Sequence, residues 1–209
     1  MRIKTEERRQ AIITSAKEMF REHGFEATSM DMIAKHCGGS KATLYNYFKS
    51  KEAIFLAVIE HTTKIDFEPA FLKLEQNSAQ PLHKLLCQFG QHYLSVILTP
   101  RMTSVRRMVY AESTRSNIGL QFYQNGPEKG LKRLAQFFDH QIELGKLQSH
   151  NTQVAALQFK ALLHAELLEP YQLGCINSIE EQNITAAVER AVTGFLAIYQ
   201  PQHKLPVSS

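Results

Sequence analysis

The stretch TSMDMIAKHCGGSKATLYNYFKSK, residues 28–51, decides how the chain is read. Thr28 and Asp31 have the spacing of a capping box, with Asp in the place of the longer Glu. They start a short helix that carries Met32, Ile33 and Ala34. That helix runs into Gly38-Gly39, where glycine supplies the positive φ of a tight turn. Ser40 then caps a second short helix, Lys41 to Tyr47. Two short helices joined by a glycine-containing turn of about three or four residues make a helix-turn-helix. Ala34 is small where the helices cross, and Ile33, Cys37 and Leu44 supply the core between them. The second helix then exposes Lys41, Thr43, Tyr45 and Tyr47, and a helix of this size fits the DNA major groove.

The rest of the chain agrees with this centre. Upstream, Ile12, Ile13, Ala16, Met19 and Phe20 fall on one face of a helix from about Thr5 to His23. Gly24 stops it, and Phe25 folds back on its last turn. Downstream, residues 51–64 carry Ile54, Phe55, Val58 and Ile59 at helical spacing. A further helix begins at Pro81 as its first residue, and others lie near 104–114, 128–145, 152–168 and 179–199. Strand alternation is absent, so the expected fold is all-α with about nine helices. The expected division is a DNA-binding domain over 1–50 and a helical regulatory and dimerisation domain over 51–209.

Charge has the same polarity. Residues 1–51 hold ten Lys or Arg against six Asp or Glu, whereas the remainder holds fourteen of each. The positive excess therefore sits on the segment that faces a polyanion. Arg2, Lys4, Arg8 and Arg9 extend it toward the DNA backbone or minor groove, or form an ordinary solvated tail.

The string from Phe20 and Gly24-Phe25 resembles the TetR family of transcriptional regulators. It continues through Thr28-Ser29-Met30, Ile33-Ala34, Ser40, Thr43-Leu44-Tyr45-Asn46-Tyr47-Phe48 and Ser50-Lys51-Glu52. The resemblance implies that Lys41, Ala42 and Thr43 face base edges. It implies that Tyr45, Tyr47 and Lys51 hold phosphates, and that Thr28 and Ser40 stand at helix starts that meet phosphates. Tyr45 and Tyr47 have the alternative of packing on the first helix. Lys41 and Lys51 are otherwise solvated lysines, poorly placed at helix starts for the helix dipole unless a phosphate is near. Family members usually carry a β-branched residue at the position of Gly39 and often Ala at Cys37. Glycine there removes a plug between the helices, at a cost of about 1 kcal/mol.

Beyond residue 65 the chain has no P-loop, GxGxxG, HExxH or paired metal motif, and His164-Ala-Glu166 lacks the PCxxC half of a deaminase signature. No enzyme activity, cofactor or metal is expected. Cys37, Cys87 and Cys175 have no CxxC spacing and read as reduced packing residues. No apolar run or leader segment suggests a membrane or export, so the expected location is a bacterial cytoplasm.

Arg107-Met108-Val109, Glu112-Ser113, Phe122, Gly126-Pro127, Gly145-Lys146-Leu147 and Ala155-Ala156 with Gln158-Phe159 resemble an AefR-like C-terminal domain of one TetR subgroup. The resemblance implies a homodimer that encloses a small-molecule inducer. Phe89, Tyr93, Met102, Phe122, Phe137 and Phe159 are candidate lining, with His92, Arg106, Gln141 and His164 as polar contacts. Ala155, Leu162, Ala165, Val188, Ala191, Val192 and Phe195 suit a dimer interface or, equally, an intramolecular core. The expected function is a ligand-released repressor bound to a pseudo-palindromic operator in double-stranded DNA. The alternative is an inducer-independent DNA-binding protein of the nucleoid or cell-division type. A helical enzyme with a vestigial helix-turn-helix is the third reading, against which the intact 40–51 string speaks.

Overall fold

A computed structural model of the chain describes residues 5–76, 80–114 and 116–201, and the side chains of all of these but 62–64. Arg2 and Lys4 lie outside the described residues. The fold is all-α, and no strand occurs among the described residues. The elements are α1 (Glu6–Ala27), α2 (Met30–His36), α3 (Lys41–Tyr47), α4 (Lys51–Gln76), α5 (Leu82–Ile97), α6 (Pro100–Glu112), α7 (Ile118–Asn125), α8 (Pro127–Glu143), α9 (Thr152–His164), α10 (Leu168–Gln172) and α11 (Glu181–Tyr199). α7 and α10 go beyond the nine expected helices, each too short for periodicity to announce it. α4 also runs on through Pro69 to Gln76, well past the expected stop at 64.

The chain divides into two compact units, residues 1–64 with 108–126, and residues 65–107 with 127–209. The expected boundary at 50 is therefore displaced. Ile54, Ala57 and Val58 of α4 are buried in one cluster with Ile12, Ala16, Ile33 and Leu44, so α4 begins as part of the first unit. Within that unit Gly24 breaks α1 with φ 78° and ψ 166°. Phe25 then turns back onto Phe20, ring centroids 5.6 Å apart, and Phe55 completes the aromatic group at 5.1 Å from Phe20.

The second unit is built from amphipathic helices. α5 buries Leu82, Leu85, Leu86, Phe89, Leu94 and Ile97, and α8 buries Leu131, Leu134, Ala135 and Phe138. Pro81 stands just before α5 rather than as its first residue. α11 supplies Val188, Val192 and Phe195. Phe138, Phe159 and Phe195 are fully buried, and Phe195 lies 5.0 Å from Phe138 and 4.9 Å from Phe159 between ring centroids. Arg133 fixes α8 to the far end of α4 by pairing with Glu68 at 2.9 Å and Glu75 at 2.8 Å over the Phe71 ring. Gln148 closes the end of α11, its backbone N–H donating to Tyr199 O and its amide to Ile198 O.

Candidate nucleic-acid interface and regulatory site

The start of α2 differs from the sequence reading by one residue. Ser29, not Thr28, is the N-cap, and its Oγ accepts from Met32 N at 3.2 Å. Thr28 is buried, and its hydroxyl faces Gly24 O at 2.7 Å and Met19 O at 3.2 Å. That hydroxyl ties down the end of α1. Asp31 consequently stands outside the capping position, and its carboxylate takes a 3.0 Å ion pair from Lys41. This hydrogen bond raises the Lys41 ammonium above the ordinary lysine range.

Ser40 caps α3 as expected, accepting from Thr43 N at 3.1 Å. Its Oγ also meets Thr43 Oγ1 at 2.9 Å. Leu44 is buried, while Lys41, Ala42, Tyr45 and Asn46 are exposed and Thr43 is half-buried. Asn46 joins Ala42 and Thr43 on one face at spacings of four and three, a signal present in the sequence but not taken up there. Tyr47 is half-buried, and its phenol oxygen accepts from Thr5 N at 3.1 Å. The phenol hydrogen is left to donate elsewhere. Lys51 donates to Phe25 O at 2.8 Å and Glu26 O at 3.3 Å, with its ammonium 4.3 Å from the Phe25 ring centre. A cation at the start of α4 is thereby explained by the carbonyls that end α1.

The plug expected to be missing at Gly39 is supplied by α1. A Cβ built at Gly39 would lie 2.5 Å from Arg8 Nη2 and 3.6 Å from Cys37 Sγ. The neighbouring Gly38 has φ 64° with open space around it. The two glycines therefore have different reasons. Gly38→Ala is expected to lose about 1–2 kcal/mol from the left-handed backbone alone. Gly39→Val displaces only the flexible tip of Arg8 and is expected to stay within about 0.5 kcal/mol. Urea melts of the two variants check this ordering.

In the second unit the structure brings part of the expected ligand set together. Tyr93 OH lies 2.7 Å from His164 Nε2, and the two rings stack at 5.6 Å. Phe89 stacks on Tyr93 at 6.1 Å, and Met102 packs beside Tyr93 with Leu168 and Ile97. Burial pushes the Tyr93 phenol up to about 12. Burial first, then the positive charges of Arg106 and Lys160, pushes His164 down to about 3, so its ring is neutral at physiological pH. Lys160 stands one turn before His164 on α9 and was missed in the sequence, where a lone lysine carries no signal.

Other members of that set are placed elsewhere. His92 Nε2 is engaged with Asp66 O at 2.6 Å. Phe137 and Phe159 belong to the apolar core. Gln141 is fully buried, with both side-chain amide atoms lacking a hydrogen-bond partner. Phe122 falls in the first unit and the others in the second. A surface cleft of about 560 Å³ lies along Ala70, Lys73, Leu74, Leu85, Phe89, His92 and Ile184, and shares only Phe89 and His92 with the expected lining.

Of the seven expected interface residues, Ala155, Val188, Ala191, Val192 and Phe195 are buried in this unit's own core. Leu162 is half-buried and Ala165 exposed. The two helices leave a different face open, with Val154, Leu157 and Ile198 each more than two-fifths exposed. Sequence spacing also gave no sign of a grouping of His83, Cys87 and Glu189, because Glu189 lies 102 residues from Cys87. Glu189 accepts from the Cys87 thiol at 3.2 Å and pairs with His83 at 3.0 Å. Burial and this carboxylate push the thiol up to about 12.

Residues 12–58 match the family described as "Bacterial regulatory proteins, tetR family", and residues 84–201 match "AefR-like transcriptional repressor, C-terminal domain". The HTH-type transcriptional regulator UidR of Escherichia coli (strain K12) is 42% identical over 59 residues, 28% of this chain and 30% of UidR. The chain thus spans under a third of the length of UidR. Solved structures match over much more. The flavonoid-responsive regulator FrrA is 32% identical with a TM-score of 0.70, over 95% of this chain and all of that one. A TetR-family transcriptional regulator from Mesorhizobium loti MAFF303099 shares the fold at 24% identity and a TM-score of 0.81, over 95% of this chain and all of that one. Among the described residues no helix is long and apolar enough to cross a membrane.

Proposed function

The chain belongs to the TetR family of bacterial transcriptional regulators, and from that premise we propose that it is a homodimeric repressor released from its operator by a small molecule. The observation that carries the DNA half is the open face of α3. Ser40 fixes its start, Leu44 anchors it, and Lys41, Ala42, Thr43 and Asn46 are presented together at its outer side. Such a face reads base edges when α3 enters the major groove. Ser40, Tyr45 and Tyr47 are assigned to phosphates, Tyr47 with the hydrogen its bond to Thr5 leaves available. One such helix reads too few bases for a unique address, so two copies on a pseudo-palindrome are required.

For the second copy we assign the open face of α9 and α11. Leu157, Val154 and Ile198 give it apolar area, and Ala161, Ala165, Ala186 and Ala197 keep it low. Gly194 lies on α11 where an added Cβ meets nothing within 4 Å of its own chain. A helical glycine costs about 1 kcal/mol relative to alanine, and close approach of a partner helix gives it a reason. Release by a ligand is supported by the likeness to FrrA, itself a flavonoid-responsive regulator.

Footprinting tests the proposal, with a dimer protecting two related half-sites expected and full-affinity binding of a monomer to an asymmetric site overturning it. Thr43→Ala and Asn46→Ala are expected to relax sequence preference by about 1–3 kcal/mol. Lys51→Ala, which removes the tie to the α1 carbonyls, is expected to lower stability by about 1–2 kcal/mol and leave the salt slope of binding unchanged. A slope shallower by about one unit would restore a phosphate contact for Lys51. A thermal-shift screen paired with operator binding decides between ligand release and the inducer-independent alternative, because a true inducer moves both.

A further inference from the structure

The Tyr93–His164 pair lies in an unbalanced electrostatic setting. Arg106 of α6 stands close enough to Tyr93, His164 and Lys160 to act on all three. Its Nε is buried without a hydrogen-bond partner. Among the described residues no carboxylate pairs with Arg106 or with Lys160, although the other arginines of this unit are matched. Arg101 pairs with Asp66, Arg133 with Glu68 and Glu75, and Arg190 with Glu166, while Arg107 donates to Gln172 O. Arg106 and Lys160, both half-buried, act on the half-buried His164, and Arg106 also on Tyr93, with no acid between them. Partial desolvation without a counter-charge costs the folded chain stability. The neutral His164 ring does nothing to offset them.

An apolar wall adjoins this positive end. Phe89 stacks on Tyr93, and Met102, Ile97 and Leu168 pack beside it. We propose that the second unit binds an organic anion, an apolar molecule whose single carboxylate or phenolate is received between Arg106 and Lys160 with Tyr93 and His164 as orienting hydrogen-bond groups. This deepens the ligand-release reading and rests on it. The anion would supply the missing counter-charge, and Arg106 Nε–H would gain an acceptor. A ligand with a neutral or cationic head gains neither.

The test uses three probes with one apolar body and different heads: 2-naphthoate, 2-naphthalenemethanol and 2-naphthylmethylamine. Calorimetric titration of the intact 209-residue chain is expected to give binding of the carboxylate roughly 10- to 100-fold tighter than the alcohol, with no binding of the amine. Arg106→Gln is expected to abolish that preference, Lys160→Gln to reduce it, and the exposed Lys132→Gln to leave it unchanged. A second readout needs no ligand. Arg106→Met in the free protein is expected to keep or raise Tm, since an uncompensated cation is removed, whereas a structural arginine would lower it. Equal affinity for alcohol and carboxylate, a preference that survives Arg106→Gln, or a lower Tm for Arg106→Met overturns the proposal. An alcohol or amine that binds and releases operator would leave the ligand-release reading standing without the anion. No binding of any probe, together with no operator release in the broad screen, would remove both.

Discussion

Phe195→Ala is expected to lower the stability of the second unit by about 3–5 kcal/mol, the range for truncating a fully buried phenylalanine. Phe195 has no exposed surface and sits within ring-contact distance of Phe138, Phe159 and Tyr199. Those neighbours belong to three helices, so the void cannot close by moving one side chain. The loss should appear as a lower urea midpoint at every protein concentration, because the contact is within one chain. A loss under about 1.5 kcal/mol, coupled to a change in oligomeric state, would instead return Phe195 to a subunit interface.

The double variant Leu157→Glu with Ile198→Glu is expected to do the reverse. Both side chains are about half exposed, so each protomer should fold with its core intact. Four glutamates facing one another across a two-fold axis should give a monomer in sedimentation. Loss of the linked second half-site should weaken operator binding by roughly 100- to 10,000-fold. If the variant stays dimeric and binds normally, α9 and α11 do not carry the partner.

Much of the reading head was legible because its signals are local. A Gly38 turn, a Ser40 cap and an anchor at Leu44 each depend on residues within one turn of helix. Thr28 shows the limit. Threonine and serine stand side by side at 28 and 29, and either can cap α2 by pattern alone. Only the place of the Met19 and Gly24 carbonyls, set by the break in α1, decides that Thr28 turns inward. The carbonyl partners of Lys51 were out of reach for the same reason, since Phe25 and Glu26 lie a whole helix-turn-helix away. In the second unit, periodicity identified apolar faces but could not say which neighbour covers them. Val188 and Phe195 therefore read equally as core and interface until α5, α8 and α9 were seen around them. Tyr93, Arg106 and His164 were candidate ligand contacts in the sequence, but Lys160 was not, and a separation of 71 residues leaves no pattern that pairs Tyr93 with His164.

The guanidinium tip of Arg8 at Gly39 makes these two positions a matched pair, long against short. Their sizes should therefore drift together through descent. In kin that carry valine or isoleucine at the second position, the first should shorten or swing outward. A change at the opening of α1 then becomes permissive for a change in the turn that aims α3. Operator preference could shift in this lineage through a residue that touches no base.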